Sequence, residues 1–233
     1  MARVLVCGVY LADRENLAGS EMAELGASRH HRVTQRWIAL DINGGGICDL
    51  PHTVATIKVQ TPKFTLVNGL IEDVQDFDRL IVCDDDVQFP ARFLDDFLAL
   101  VDEFSFAIAQ PARTPDSYID HFITTQMPGL RGRQTRFVEI GPVTCIDRSA
   151  YPVLLPFDRR SPMGWGLDFV WPVLAERAGL RMGIVDATPI GHCLRMAKAN
   201  YRDLPVEQQM KVLLDESPSL MPLEAYTIVE AYA

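Results

Sequence analysis

A single α/β domain, its mostly parallel central sheet flanked by helices, is the fold class that this sequence predicts. Three observations predict it. Short apolar runs of strand length alternate with amphipathic stretches of helical period along most of the 233 residues. One run, Leu80-Ile81-Val82-Cys83, is apolar without interruption, as a central strand covered on both faces requires. It ends in three carboxylates, Asp84-Asp85-Asp86, and the carboxyl edge of such a sheet is where ligands bind.

The elements follow in chain order. Residues 4–9 read as a first buried strand. They also have the apolar length of a short signal-peptide core, but one Arg precedes them and mixed charge follows, which favours the strand. Residues 17–26 fit a short helix and 33–40 a second strand; Asn43-Gly44-Gly45-Gly46 forces a turn, and 54–59 alternates like a strand. Thr61 suits an N-cap and Pro62 a first helical position, where its missing N–H is harmless. Phe64, Val67, Leu70, Ile71 and Val74 then share one helical face. Beyond the carboxylates, Pro90 is expected to open a helix with Phe93, Leu94, Phe97, Leu98, Val101 and Phe104 on its buried stripe. Residues 106–109 and 137–146 read as strands. Between them, 113–136 reads as a long aperiodic loop, of a kind that is usually functional or mobile.

Leu167, Val170, Trp171, Leu174, Ala175 and Ala178 form a further stripe closed by Gly179, with Pro172 tolerable only near the first turn. Residues 181–187 look like a last core strand and 206–216 like a helix. The expected organisation is one domain over residues 1–200, with 201–233 as a helical tail packed on it.

Composition narrows the function classes. The formal charge of −9 argues against nucleic-acid binding, which relies on Lys and Arg to neutralise phosphates. The five cysteines are odd in number and never fall in a Cys-x-x-Cys spacing, so neither a zinc site nor a disulfide framework is implied. A reducing compartment, the cytoplasm, is the expectation. No apolar run approaches the roughly 20 residues of a membrane span.

Four stretches carry candidate chemistry. On an extended strand end, Asp84 and Asp86 share one side and Asp85 points away, which makes half of a site for a hard divalent cation; a solvated acidic turn is the plainer reading. In Met163-Gly164-Trp165-Gly166-Leu167-Asp168, two glycines let the backbone bend sharply around an indole that can platform a sugar ring or a base. Asp168 stands at a helix entrance, as a cap, a catalytic carboxylate or both. His192 follows a core strand with Gly191 before it, within reach of the acidic pair, and imidazole suits a cation such as Mn²⁺; a polar loop residue is the alternative. Arg131, Arg133 and Arg136 form the densest basic cluster, able to fork onto phosphate oxygens or to remain a solvated loop. His30, His31, His52 and His121 read as surface or loop residues.

In combination these stretches resemble a nucleotide-sugar glycosyltransferase of the GT-A fold, a Rossmann-like α/β architecture. The order is Asp84-Asp85-Asp86 after a strand, Phe137-Val138-Glu139-Ile140-Gly141-Pro142-Val143, Gly164-Trp165-Gly166-Leu167-Asp168, then a strand and His192. With Ala109-Gln110-Pro111-Ala112 and Gly166-Leu167-Asp168-Phe169, the chain more narrowly resembles an uncharacterised family labelled lysine-ketoglutarate reductase trans-splicing related. The likeness spans residues 78–192. It implies a GT-A-like catalytic domain, a nucleotide-sugar donor and a carbohydrate or other hydroxyl acceptor. By that resemblance Asp84 and Asp85 belong to the nucleotide side, with Arg131, Arg133 and Arg136 helping at the diphosphate. Asp84, Asp86 and His192 hold Mn²⁺ or Mg²⁺. Asp168 resembles the general base of inverting enzymes, and Trp165, Glu139, Gly164 and Gly166 line the acceptor side. Phe169 stands where one related inverting group carries a second acid. A non-catalytic carbohydrate- or nucleotide-binding relative and a metal-dependent nucleotidyltransferase or hydrolase are the competing expectations.

Overall fold

The computed structural model describes residues 1–196 and 204–233. Its strands are β1 (Arg3–Leu11), β2 (Arg32–Leu40), β3 (Thr53–Ile57), β4 (Arg79–Cys83), β5 (Ile108–Arg113), β6 (Gly132–Thr135), β7 (Val143–Asp147), β8 (Met182–Ile190) and β9 (Ile228–Tyr232). The helices are α1 (Ala18–Gly26), α2 (Lys63–Leu70), α3 (Phe93–Glu103), α4 (Tyr151–Leu154), α5 (Leu167–Arg177), α6 (Val206–Glu216) and α7 (Pro222–Ala225). The strands join into one sheet in the order β3-β2-β1-β4-β7-β5-β8-β6-β9. Pairing is parallel at β3-β2, β2-β1, β1-β4 and β5-β8, and antiparallel at the joints that β6 and β7 make. Followed across the sheet, only β6 and β7 run against the rest, so the sheet is mixed yet mostly parallel in direction.

Both faces are covered, as the uninterrupted apolar runs require. Successive side chains of a strand point to opposite faces. Leu5, Cys7, Leu80 and Val82 therefore pack with Phe64 and Val67 of α2 and Val170 and Trp171 of α5. Val4, Val6, Ile81 and Cys83 pack on the other face with Met22 and Leu25 of α1 and Phe93 and Phe97 of α3. The result is three layers, helix on sheet on helix. No helix among the described residues is long and apolar enough to cross a membrane, and all five cysteines are free.

Several boundaries differ from expectation for local reasons. Pro62 is the N-cap of α2 rather than its first residue, and the Thr61 hydroxyl donates to the Val59 carbonyl instead of capping. Pro90 does not open α3. The helix starts at Phe93, after Arg92 in a left-handed conformation (φ 63°), and Glu24 of α1 accepts the Phe93 N–H at 3.0 Å. Pro172 lies beyond the first turn of α5, where its missing N–H leaves the Asp168 carbonyl without its helical donor. The expected loop over 113–136 contains β6, and the expected strand over 137–146 is extended only from Val143. The tail is not merely helical: β9 pairs with β6, and Leu213 and Ala225 are fully buried.

Direction decides where chemistry can occur. The carboxyl ends of β1, β2, β4, β5 and β8 and the start of β7 lie along one edge of the sheet. The chain order reverses between β1 and β4, the switch point at which open α/β sheets leave a crevice. Close packing beneath that crevice depends on Gly8 of β1, where an added Cβ would lie 2.2 Å from the ring of the fully buried Trp37. Gly8→Ala is therefore expected to destabilise the fold by about 1–3 kcal/mol through overpacking, read as a lower urea midpoint with an unchanged slope.

Candidate active site

A cavity of about 530 Å³ opens on this edge, lined by Asp84, Asp85 and Asp86 on one side and by Glu139, Trp165 and Asp168 on another. Three consecutive carboxylates repel one another, and the structure sets basic side chains from elsewhere in the chain against them. Asp84 is ion-paired with Lys63 at the start of α2. Asp85, buried, accepts the Leu11 N–H on Oδ2 at 2.7 Å and is paired through Oδ1 with Arg195. Asp86, also buried, lies 3.0 Å from His192 Nε2 through Oδ1 and 3.2 Å from Arg195 Nε through Oδ2. Strand alternation would send Asp85 away from its neighbours. However, β4 ends at Cys83, so the alternation ends there too, and Asp85 shares Arg195 with Asp86 while tying the ends of β1 and β4 together.

Burial raises the Asp85 carboxyl to about 6, with Arg195 opposing the shift. For Asp86 burial pushes upward as well, but the His192 hydrogen bond and the charges of His192 and Arg195 carry its pKa below the ordinary value. Beneath the triplet, buried Glu21 of α1 accepts the Val87 N–H at 2.7 Å. Burial holds its carboxyl well above the usual range, which favours the neutral acid under three like charges.

His192 reaches the triplet because β8 overruns its expected end. Gln88 and Gly191 exchange backbone hydrogen bonds at 2.9 and 3.0 Å, which sets the following imidazole beside Asp86. One donor atom from each of Asp84, Asp86 and His192 lies within 4.8 Å of the others. Two carboxylate oxygens and an imidazole nitrogen are a donor set that fits Mn²⁺ or Mg²⁺.

The facing wall is shaped by the glycine-tryptophan loop. Gly164 and Gly166 take φ of 88° and 89°, a left-handed conformation that side chains resist. Gly164 also passes so near Phe64 that a Cβ would lie 2.5 Å from its ring. Gly164 thus bends the loop without lining the cavity, whereas Trp165 and Gly166 line it. Asp168 stands in the first turn of α5, buried, its Oδ1 without a hydrogen-bond partner. Burial raises its carboxyl to about 7, and the nearby amides of Asp168, Phe169 and Gly166 oppose the shift without closing a hydrogen bond on Oδ1. Glu139 is raised to about 8 by burial, against the pull of Arg113, whose Nη2 lies 2.6 Å from Oε2.

The arginine cluster is not at the cavity. Arg131 pairs with Glu103 at 2.6 Å and Arg136 with Glu176 at 2.6 Å on the surface. Arg133 is buried, held by Asp186 at 2.9 Å and by the carbonyls of Ile123 and Thr125. These residues stand in or beside strand β6 rather than in a loop, so their side chains brace the sheet. Among the described residues, the Arg and Lys side chains at the cavity are instead Arg14, Lys63, Arg113 and Arg195. His121, expected as a loop residue, also lines it, together with Tyr226 from the tail. Nothing in the spacing marks these residues in advance, since each comes from a separate element and gains its place only through the topology.

No family model matches the chain and no curated protein matches it, so the narrower family likeness has no support beyond the phrases that suggest it. Solved structures do resemble it. GalNAc-T7 with UDP, GalNAc and Mn²⁺ superposes with a TM-score of 0.62 at 10% identity, covering 93% of this chain and 50% of that one. S. aureus TarS residues 1–349 with UDP-GlcNAc gives 0.56 at 9% identity, covering 91% and 65%. Full TarS gives 0.57 at 9% identity, covering 96% and 41%. This chain therefore spans between two fifths and two thirds of these glycosyltransferases. At such identities the likeness shows the fold alone, and that fold is GT-A.

Asp85 generates a structural expectation. Asp85→Ala would leave the Leu11 amide without its acceptor and Arg195 with Asp86 and the Glu15 carbonyl as its remaining partners, and should cost about 1–3 kcal/mol. Asp85→Asn keeps an oxygen for the amide and should cost less. Urea unfolding of the two variants at neutral pH reads the difference.

Proposed function

We propose that this protein is a nucleotide-sugar glycosyltransferase that works with a divalent cation, Mn²⁺ or Mg²⁺. The observation that carries the reading is convergence: Asp84, Asp86, His192 and Asp168, remote in sequence, line one cavity at the carboxyl edge. The nucleotide, sugar and Mn²⁺ in the GalNAc-T7 structure and the UDP-GlcNAc and UDP in TarS structures support it. Asp84, Asp86 and His192 would hold the cation, which when bound neutralises charge building on the leaving diphosphate.

The chain's own groups do the rest. Lys63, relieved of Asp84, and Arg195, relieved of Asp86, become donors for phosphate oxygens. Asp85 keeps Arg195 in place, and Asp84 is the carboxylate set to meet the nucleotide ribose. Trp165 offers a flat face to the acceptor, with Glu139 locked beside it by Arg113. Asp168 takes the proton of the acceptor hydroxyl as that oxygen attacks the anomeric carbon and the diphosphate departs with the bonding electrons. A direct attack of this kind inverts the configuration. The loop between Gly164 and Asp168 disfavours a nucleotidyltransferase, and a depleted base position would be the mark of a purely binding relative.

Two measurements test the reading. A nucleoside diphosphate with Mn²⁺, each near 100 times its dissociation constant, should raise Tm by roughly 5–10 °C, and Asp86→Asn should abolish the rise. An unmoved melting curve across uridine, guanosine, cytidine and adenosine diphosphates would overturn it. In turnover, the base works ionised, so activity should climb as pH rises through about 7, the value to which burial lifts Asp168. Asp168→Asn should lower kcat by roughly 10²–10⁴-fold. Stability should move the other way. The folded state holds on Asp168 a proton that the unfolded chain releases near its ordinary value of 3.8, so this contribution is complete at low pH and is lost as pH rises through about 7.

A further inference from the structure

Tyr226, His121 and Asp168 stand in a row on the acceptor side of the cavity. The Tyr226 hydroxyl lies 2.5 Å from His121 Nδ1, and His121 Nε2 lies 3.7 Å from Asp168 Oδ2. The imidazole is clamped by rings: Phe137 at 4.8 Å between centroids, Tyr226 at 5.8 Å and Phe169 at 5.9 Å. Asp168 Oδ1 is sealed from solvent with no partner, so Oδ2 is the oxygen on which the surroundings act.

We propose that His121, oriented by Tyr226, is the positioning residue of Asp168: its Nε2–H holds the carboxylate through Oδ2 in the rotamer from which the acceptor hydroxyl is deprotonated. The inference rests on the glycosyltransferase reading and adds to it a residue pair outside the acidic triplet and the glycine-tryptophan loop. A carboxylate facing Nε2 favours the ring proton there, which leaves Nδ1 to accept from the Tyr226 hydroxyl, and burial with the nearby charges of Asp168 and Glu139 keeps that hydroxyl protonated. Burial also lowers the His121 pKa, Asp120 opposing and Arg113 assisting, which keeps the ring neutral near pH 7. A carboxylate oxygen has two lone pairs. One takes the imidazole N–H and the other stays open to the acceptor. The 3.7 Å gap is of the kind that closes when substrate fills a site. The groups that face the array are Asp120, Arg113, Glu139 and the α5 amides of Asp168 and Phe169. A donated N–H favours the ionised carboxylate, so the pair keeps Asp168 a base at a lower pH than burial alone would allow.

Nitrogen NMR of histidine-labelled protein reads the tautomer directly. The array requires His121 to carry its proton on Nε2 in the wild-type protein and to lose that preference in Tyr226→Phe. A proton on Nδ1 in the wild type, or an unchanged spectrum in the variant, overturns the proposal whatever the protein catalyses. Turnover of a panel of nucleoside diphosphate sugars then tests its effect. In His121→Phe, which keeps the ring packing, the acidic limb of kcat should move up by about one pH unit and kcat at pH 7 should fall about fivefold. KM for the donor and the melting shift with Mn²⁺ and nucleoside diphosphate should stay as in the wild type. His121→Gln restores an N–H and should return the limb toward its original position. A limb that does not move in His121→Phe sinks the positioning role. Absence of any turnover by the wild type sinks the glycosyltransferase reading, and the tautomer experiment still decides the array.

Discussion

Charge compensation at the end of β4 is the constraint on which the rest of the structure turns. Asp84, Asp85 and Asp86 follow a buried strand without a break, and two of them are buried themselves. Each meets basic groups from other parts of the chain: Asp84 meets Lys63 of α2, Asp85 meets Arg195 from beyond β8, and Asp86 meets Arg195 and the imidazole of His192. Asp85 also receives the amide of Leu11 from β1. Burying one member without its partner would cost several kcal/mol, so the triplet draws four segments into one place. The same contacts that make the fold tolerable make the cavity.

That arrangement explains why acidic and basic groups meet where a phosphorylated ligand could bind. Lys63 and Arg195 are bound to carboxylates in the free protein, and a divalent cation bound there would compete with them for those oxygens, bringing positive charge of its own and freeing theirs for the ligand. On the opposite wall the logic is reversed. Asp168 and Glu139 are raised to about 7 and 8 by desolvation, which suits that side to the proposed proton transfer, whereas the donor set of the triplet suits the proposed cation. One cavity thus holds carboxylates of two kinds, separated by environment rather than by residue type.

Features set by local pattern were legible from the amino acids alone. The strands through Leu80–Cys83 and Val4–Val9 declared themselves by apolar continuity, and the α3 and α5 stripes by period. Asp84, Asp86, Asp168 and His192 stood out through their places at strand ends and a helix entrance, and the structure brings them to one cavity. Features set by tertiary context were hidden. Arg133 reads as a phosphate-binding member of an arginine cluster because nothing local reveals Asp186, its buried partner across 53 positions. His121 lacked any context because Tyr226, which faces it, lies 105 positions away. Strand β9 is short and largely exposed, so it carries no alternation to read. Pro90 and Thr61 were plausible helix signals outcompeted by tertiary contacts, the first by Glu24 of α1 acting on Phe93.

The tail finishes both the sheet and the cavity, through β9 and Tyr226. Strand β9 closes on β6, and the segment just before it lays Tyr226, Pro222 and Met210 along the cavity wall. Loss of the final dozen residues would thus take away an edge strand and part of the cavity wall together, leaving the backbone of β6 unpaired on that side and open to another chain.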